Sequence, residues 1–188
     1  IIVTKQHSAK NVIKKELEDQ IERDENHIKG NITAIDVKIY GKQHIVKCVK
    51  NHTNKEMTII IGTIDSLIYA LTTSKMSAVD YFSGLLQSIN ESGECNKIIA
   101  STGSIQYGGS KRKLTRETEI WIDEAQDLNI EYYTAIIKLM LNTKVDVVIV
   151  GDKLQSLTHE KNFITEATYD STKNDSSNIN IIVEPHIN

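Results

Sequence analysis

"EIWIDEAQDL", residues 119–128, runs three bulky apolar residues, Ile120, Trp121 and Ile122, straight into two adjacent carboxylates, Asp123 and Glu124. A third acid, Asp127, follows one short turn later. A continuous apolar run of this length reads as a strand covered on both faces, as strands of parallel sheets are. "VVIVGDKLQSL", residues 147–157, repeats the pattern: an apolar strand, then Gly151 and Asp152, then Gln155 and Ser156. Between the two, "EYYTAIIKLML" keeps helical spacing over about 131–141, with Tyr132, Ile136 and Met140 on one core-facing side. Strand, helix, strand predicts an α/β fold with a mostly parallel sheet. In such sheets function gathers at the carboxyl ends of the strands, and both of these strands end in acid.

Working outward, Ile1–Val3 reads as a strand. Residues 8–23 read as a helix, with Ala9, Val12, Ile13, Leu17 and Ile21 at helical spacing. Residues 32–39 alternate in part, Gly41 offers a turn and Ile45–Val49 returns, which predicts a small β-hairpin inserted in the fold. Met57–Ile61 is a strand closed by Gly62, helices follow over about 64–72 and 77–89, and Lys97–Ala100 reads as a short strand. Residues 101–118 are polar, Gly-rich and basic and read as a loop. Ser171–Asn180 is a polar tail, after which Ile181–Val183 can add a strand.

The chain has 188 residues, enough for one well-buried domain, with 39% hydrophobic and 25% charged residues, ordinary for a globular protein. Its net charge of −3 does not advertise nucleic-acid binding, so any such role needs a local patch. Cys48 and Cys95 are the only cysteines, which argues against a disulfide scaffold or a zinc module. His44, Cys48 and His52 are spaced by four, but on a strand that spacing separates neighbours by ~13 Å, too far to share an ion. No apolar run approaches the roughly 20 residues of a membrane span, and the first residues carry no export signal. A reducing, intracellular location is expected. Because the chain opens on Ile1 with a strand already under way, it is expected to be a piece of a longer protein.

A buried strand ending in Asp-Glu suits a nucleotide-triphosphatase site. The first carboxylate holds Mg²⁺ and its neighbour, diverging as the strand ends, activates the attacking water. The competing reading is structural: acids after a strand favour the positive end of the next helix. Crowding three acids together weakens it, since like charges at close range are costly without a cation.

"DEAQD" followed by "GDKLQ", one helix and one strand apart, resembles motifs II and III of superfamily 1 helicases, the UvrD/Rep kind and their viral relatives. "IGTIDSL", residues 61–67, is similar to motif Ib, with Asp65 where His is common. "IIVTKQHSAKNVI", residues 1–13, looks like motif Ia with one extra residue between Thr4 and Ala9. "YGGSKRKL" before the motif II strand, and the lysine in "GDKLQS", resemble the helicases of large DNA viruses in particular. The resemblance covers roughly residues 1–165. It implies a RecA-like P-loop NTPase fold, a three-layer sandwich, with residues 1–170 a partial motor domain and 171–188 a tail toward a second RecA-like domain. It also implies ATP and Mg²⁺ as cofactors, and single-stranded nucleic acid, DNA first, as partner. Asp123 would bind Mg²⁺, Asp152 would lie at the nucleotide, and Glu124 would be the base. Gln126 and Gln155 would sense the γ-phosphate, while Thr4, Thr63 and Ser66 would touch the nucleic-acid backbone.

The phosphate-binding loop Gly-x-x-x-x-Gly-Lys-[Ser/Thr] is absent; in this family it precedes motif Ia. "GSIQYGGSK", residues 103–111, copies its glycine spacing but has Gly109 where the lysine must be, and it leads into a strand rather than a helix. The same loop offers Lys111, Arg112, Lys113 and Arg116 beside Tyr107, a basic patch with a stacking ring that suits single-stranded nucleic acid or is simply a solvated surface. Trp121 is expected to pack in the core. Two other classes remain open: a non-catalytic nucleic-acid-binding or assembly module, and a Mg²⁺-dependent nuclease using Asp123, Glu124 and Asp127.

Overall fold

The computed structural model describes residues 1–26, 32–40, 43–50, 53–71, 104–140, 145–151, 163 and 180–185. In chain order these form β1 (Ile2–Thr4), α1 (His7–Asn26), β2 (Ile32–Tyr40), β3 (Gln43–Lys50), β4 (Lys55–Thr63) and α2 (Ile64–Leu71). There follow β5 (Ser104–Tyr107), β6 (Ser110–Lys113), β7 (Glu119–Ile122), a 3-10 turn (Ala125–Asp127), α3 (Ile130–Met140), β8 (Asp146–Gly151) and β9 (Asn180–Pro185). The main sheet runs β2-β3-β4-β1-β7-β8-β9. From β4 to β9 every pairing is parallel, while β2 and β3 are added antiparallel at the β4 edge. The α/β fold with a mostly parallel sheet is therefore as expected. The hairpin read at 32–49 extends that sheet, and the strand read at Ile181–Val183 is β9. The helix read at 77–89 and the strand at 97–100 lie outside the described residues.

Register and burial show how the layers stack. Ile45, Ile60, Val3, Ile120, Ile122, Val147 and Ile149 share one buried cluster with Leu67 and Ile68 of α2, Ile105 and Tyr107 of β5, and Ala135 and Ile136 of α3. Side chains alternate across a strand, so Val46, Cys48 and Ile61, all buried, point to the other face. There α1 lies against them: His44, in register with Ile61, meets Asn11 of that helix at 3.2 Å. Helices on both faces complete a three-layer sandwich. Among the described residues no helix is long and apolar enough to cross a membrane.

Two expectations are corrected. Residues 104–113 are a β-hairpin, not a loop: Ile105 and Tyr107 alternate into the core, and Gly108 and Gly109, at φ 61° and 74°, form the turn. Positive φ at both central positions is what a two-residue hairpin turn requires, and Gly-Gly supplies it without a steric penalty. The second correction concerns Trp121, which is not in the core. β7 is buried on one face through Ile120 and Ile122, whereas Trp121 is half-buried on the other and donates its ring N–H to Glu119 at 3.1 Å.

His44 gives the fold a pH dependence. The ring is 8% exposed, and Nδ1 has no hydrogen-bond partner among the described residues. Burial, then the ammoniums of Lys10 and Lys14, push its pKa below the usual imidazole range, with Glu18 opposing. The folded chain thus keeps His44 neutral at pH values where the unfolded chain is protonated, and stability falls as pH drops below about 6.5. Thermal melts between neutral and mildly acidic pH are expected to show a smaller loss for His44→Gln than for the wild type. An equal loss would exclude this ring as the source.

Candidate functional site

The parallel run brings the ends of four strands to one rim. Thr4 pairs with Thr63, Val3 pairs with Ile122, and Ile122 pairs with Ile149. The residues just beyond, Asp123 after β7 and the Gly151 end of β8, leave the sheet on the same side. Asp152 and Gln155 lie outside the described residues.

At the end of β7 the Asp123 N–H donates to the Val3 carbonyl at 2.9 Å, which keeps the strand paired up to its last residue. Glu124 then turns the chain with φ 54° and ψ 42°, a left-handed conformation that costs a non-glycine residue roughly 1–2 kcal/mol. The turn is held by Asp127 N–H to the Glu124 carbonyl at 3.1 Å, by Leu128 N–H to the Ala125 carbonyl at 3.2 Å, and by burial of Ala125, Gln126 and Leu128. Gln126 Nε2 donates to the Glu124 carboxylate. Asp123 and Glu124 are half-buried, Gln126 is buried and Asp127 is exposed.

At the neighbouring strand ends Thr63 is the N-cap of α2: its hydroxyl accepts the Ser66 N–H at 3.3 Å. Ser66 Oγ donates to the Thr63 carbonyl at 2.7 Å and meets the Tyr107 hydroxyl at 2.9 Å. Both side chains therefore have internal structural duties. Thr4 differs, for its Oγ1 is buried and has no hydrogen-bond partner among the described residues.

A cluster not foreseen from the sequence lies beside them. Lys5 Nζ is 3.4 Å from Asp65 Oδ1 and bonds the Tyr132 hydroxyl, which itself donates to Asp65 Oδ1 at 2.9 Å. The only sequence signals were the position of Lys5 next to Thr4 and of Asp65 between Thr63 and Ser66.

The basic patch is arranged otherwise than expected. Tyr107 is 1% exposed beneath Gly62, and burial pushes its pKa up to about 12 despite the Ser66 hydrogen bond. A ring so enclosed cannot stack on a base. Lys111 and Lys113 are exposed, and Arg112 is half-buried with Nε donating to the Tyr107 carbonyl at 3.0 Å. Arg112 and Lys113 line a cavity of about 470 Å³ together with Ile1, Glu119 and Trp121, at the starts of β1 and β7. They thus face the opposite rim from Thr4, Thr63 and Ser66.

The acid end of β7 suits a magnesium-bound nucleotide. Mg²⁺ is commonly held by one or two carboxylates plus phosphates and water rather than by a protein cage. Asp123 and Glu124 are two half-buried carboxylates, and on the adjoining strand the Thr4 hydroxyl has no hydrogen-bond partner among the described residues. Among the described residues no group of three or more His, Cys, Asp or Glu is placed to hold a metal, so a three-carboxylate nuclease centre finds no support there.

A family model described as an AAA domain matches residues 38–160, well over half of the chain. No curated protein and no solved structure matches it. Domains of this kind are P-loop NTPases, which typically bind nucleotide with Mg²⁺. With its parallel sheet, its helices on both faces and its acid-tipped central strand, the chain belongs to the AAA domain family and has the RecA-like P-loop NTPase fold.

Proposed function

We propose that the chain is the greater part of the first RecA-like motor domain of a superfamily 1 helicase, nearest to those of large DNA viruses. Residues 1–170 form the motor portion and 171–188 lead toward a second motor domain. The parent couples ATP hydrolysis to movement along single-stranded nucleic acid, DNA in the first place, and to unwinding, inside a cell (a host cell if viral). One observation carries this reading: β7 and β8 are parallel neighbours in the register Ile122↔Ile149, so Asp123 and the Gly151 end of β8 lie at one rim.

In this reading Asp123 and Asp152 are the carboxylates that would hold the magnesium-bound nucleotide, and the metal would supply positive charge to its phosphates. Glu124 accepts the proton of the attacking water, and Gln126 and Gln155 sense the γ-phosphate. The strained turn at Glu124 fixes the direction of its carboxylate, and the bond from Gln126 limits its rotation. The chain segments that carry Thr4, Thr63 and Ser66 contact one stretch of nucleic acid at the carboxyl rim, the Thr4 and Thr63 side chains themselves being buried. Lys111, Arg112 and Lys113 contact another on the far side of the molecule.

The test is made on the intact protein. ATP hydrolysis stimulated by single-stranded DNA is expected, with Gln155→Ala retaining appreciable hydrolysis but losing its coupling to unwinding. A Gly-x-x-x-x-Gly-Lys-[Ser/Thr] loop is expected to be encoded upstream of Ile1. Absence of both the loop and hydrolysis would favour the non-catalytic binding module instead.

A further inference from the structure

The loop after β1 and the first turns of α2 and α3 meet in the polar cluster of Lys5, Asp65 and Tyr132, whose members are 60 and 67 residues apart in the chain. The ammonium has three internal contacts: the Asp65 carboxylate, the Tyr132 hydroxyl and the Tyr132 ring, whose centroid is 4.0 Å away. Tyr132 is buried, but the side chains of Lys5 and Asp65 remain 33% and 42% exposed. Next to Lys5 is the buried Thr4 hydroxyl, which has no hydrogen-bond partner among the described residues. Two residues beyond Lys5, α1 begins its 20 residues with no acid in its first turn. A cation, that hydroxyl and the positive end of a long helix together favour an anion. The anion that engages Lys5 is the protein's own Asp65.

We propose that Asp65 and Tyr132 hold Lys5 in reserve. Asp65 is an internal competitor for the ammonium, and polynucleotide phosphate engages the loop after β1 by drawing Lys5 away from it. This rests on the nucleic-acid reading of the carboxyl rim and adds a regulatory contact to it. A half-exposed ion pair is worth little in water, so an incoming phosphate can exchange with the carboxylate. Tyr132 sits in the first turn of α3, the helix that follows Asp123–Asp127, so release of Lys5 unfastens the loop after β1 from that helix, while the Tyr132–Asp65 bond still ties α3 to α2. Occupation of the nucleic-acid rim is thereby linked to the element behind the acids.

The experiment is titration of the 188-residue chain with labelled oligo-dT, followed by fluorescence anisotropy across a salt series. Asp65→Asn is expected to bind about threefold tighter at low salt, the scale of one exposed ion pair. Its plot of log affinity against log salt should steepen by about 0.7, the increment for one further phosphate on a single strand. Tyr132→Phe keeps the ring, removes the hydroxyl and should shift binding in the same direction by less. Adding Lys5→Gln to Asp65→Asn should return the salt slope to the wild-type value. If the gain survives that second change, it arises from general charge and the proposal fails. It also fails if Asp65→Asn leaves an oligo-dT-binding wild type unchanged, or if only tripolyphosphate binding improves. Lack of oligo-dT binding by wild type and variants alike would instead overturn the nucleic-acid reading of this rim, and the proposal with it.

Discussion

Glu124→Gln in the intact protein is expected to cut ATP turnover by about 100- to 10,000-fold, the range a positioned general base contributes, while nucleotide affinity stays near that of the wild type. The substitution removes the proton acceptor and little else. Glutamine keeps an oxygen for the Gln126 Nε2 bond and occupies the same left-handed backbone, so the turn holding Ala125 and Leu128 in the core is preserved. Stability should therefore change by no more than about 0.5 kcal/mol, as for substitutions that spare packing and buried partners. Thermal melting checks this beside the steady-state assay. Turnover within tenfold of the wild type would show that another group takes the proton.

Gly62→Ala should be the most damaging small change in the described sheet. A Cβ at Gly62 would lie 2.1 Å from the Tyr107 hydroxyl and 3.2 Å from its Cζ, with Ser66 Oγ at 3.1 Å. Tyr107 cannot swing away, being 1% exposed within a hairpin whose Gly108 amide is tied to Gln43 at 2.7 Å. Overpacking of this kind costs about 1–3 kcal/mol, or roughly 2–4 °C of melting temperature per kcal/mol for a domain of this size. The clash is with one oxygen, which makes the cause testable. Tyr107→Phe alone should cost about 1 kcal/mol through its lost hydrogen bond, since Ser66 Oγ keeps the Thr63 carbonyl. The double variant should be more stable than Gly62→Ala, because the closest remaining atoms are then Ser66 Oγ at 3.1 Å and the ring carbon at 3.2 Å. Simple additivity of the two losses would show that the hydroxyl is not what excludes a side chain at position 62.

Much of the architecture was legible where apolar runs meet glycine. "IWI", "VVIV" and the Met57–Ile61 run ending at Gly62 all form strands of the parallel sheet. The β5–β6 hairpin was missed because its Gly-Gly turn sits among polar and basic residues, which masks the alternation of Ile105 and Tyr107. The order β4-β1-β7-β8 could not be read, since parallel neighbours are chosen by long crossovers rather than by local pattern. The acids of "DEAQD" were found by type and position. The left-handed turn at Glu124 was not, because glutamate carries no preference for positive φ. Thr63 and Ser66 were read only as backbone-contacting residues, although Thr-x-x-Ser is also a helix N-cap pattern, and the structure shows that second use. Lys5, Asp65 and Tyr132 were invisible as a group because nothing local links residues so far apart.

β1, only Ile2–Thr4, is hydrogen-bonded on one side to β4 and on the other to β7. Residues 2–4 thus lie in the middle of the described sheet, and their second flank is not made until residue 122, well over a hundred residues later, has been added. Such non-local pairing is slow to close. A ribosome-bound chain halted before β7 would carry an open, apolar strand edge at Val3, the kind of surface on which chaperones and aggregation compete.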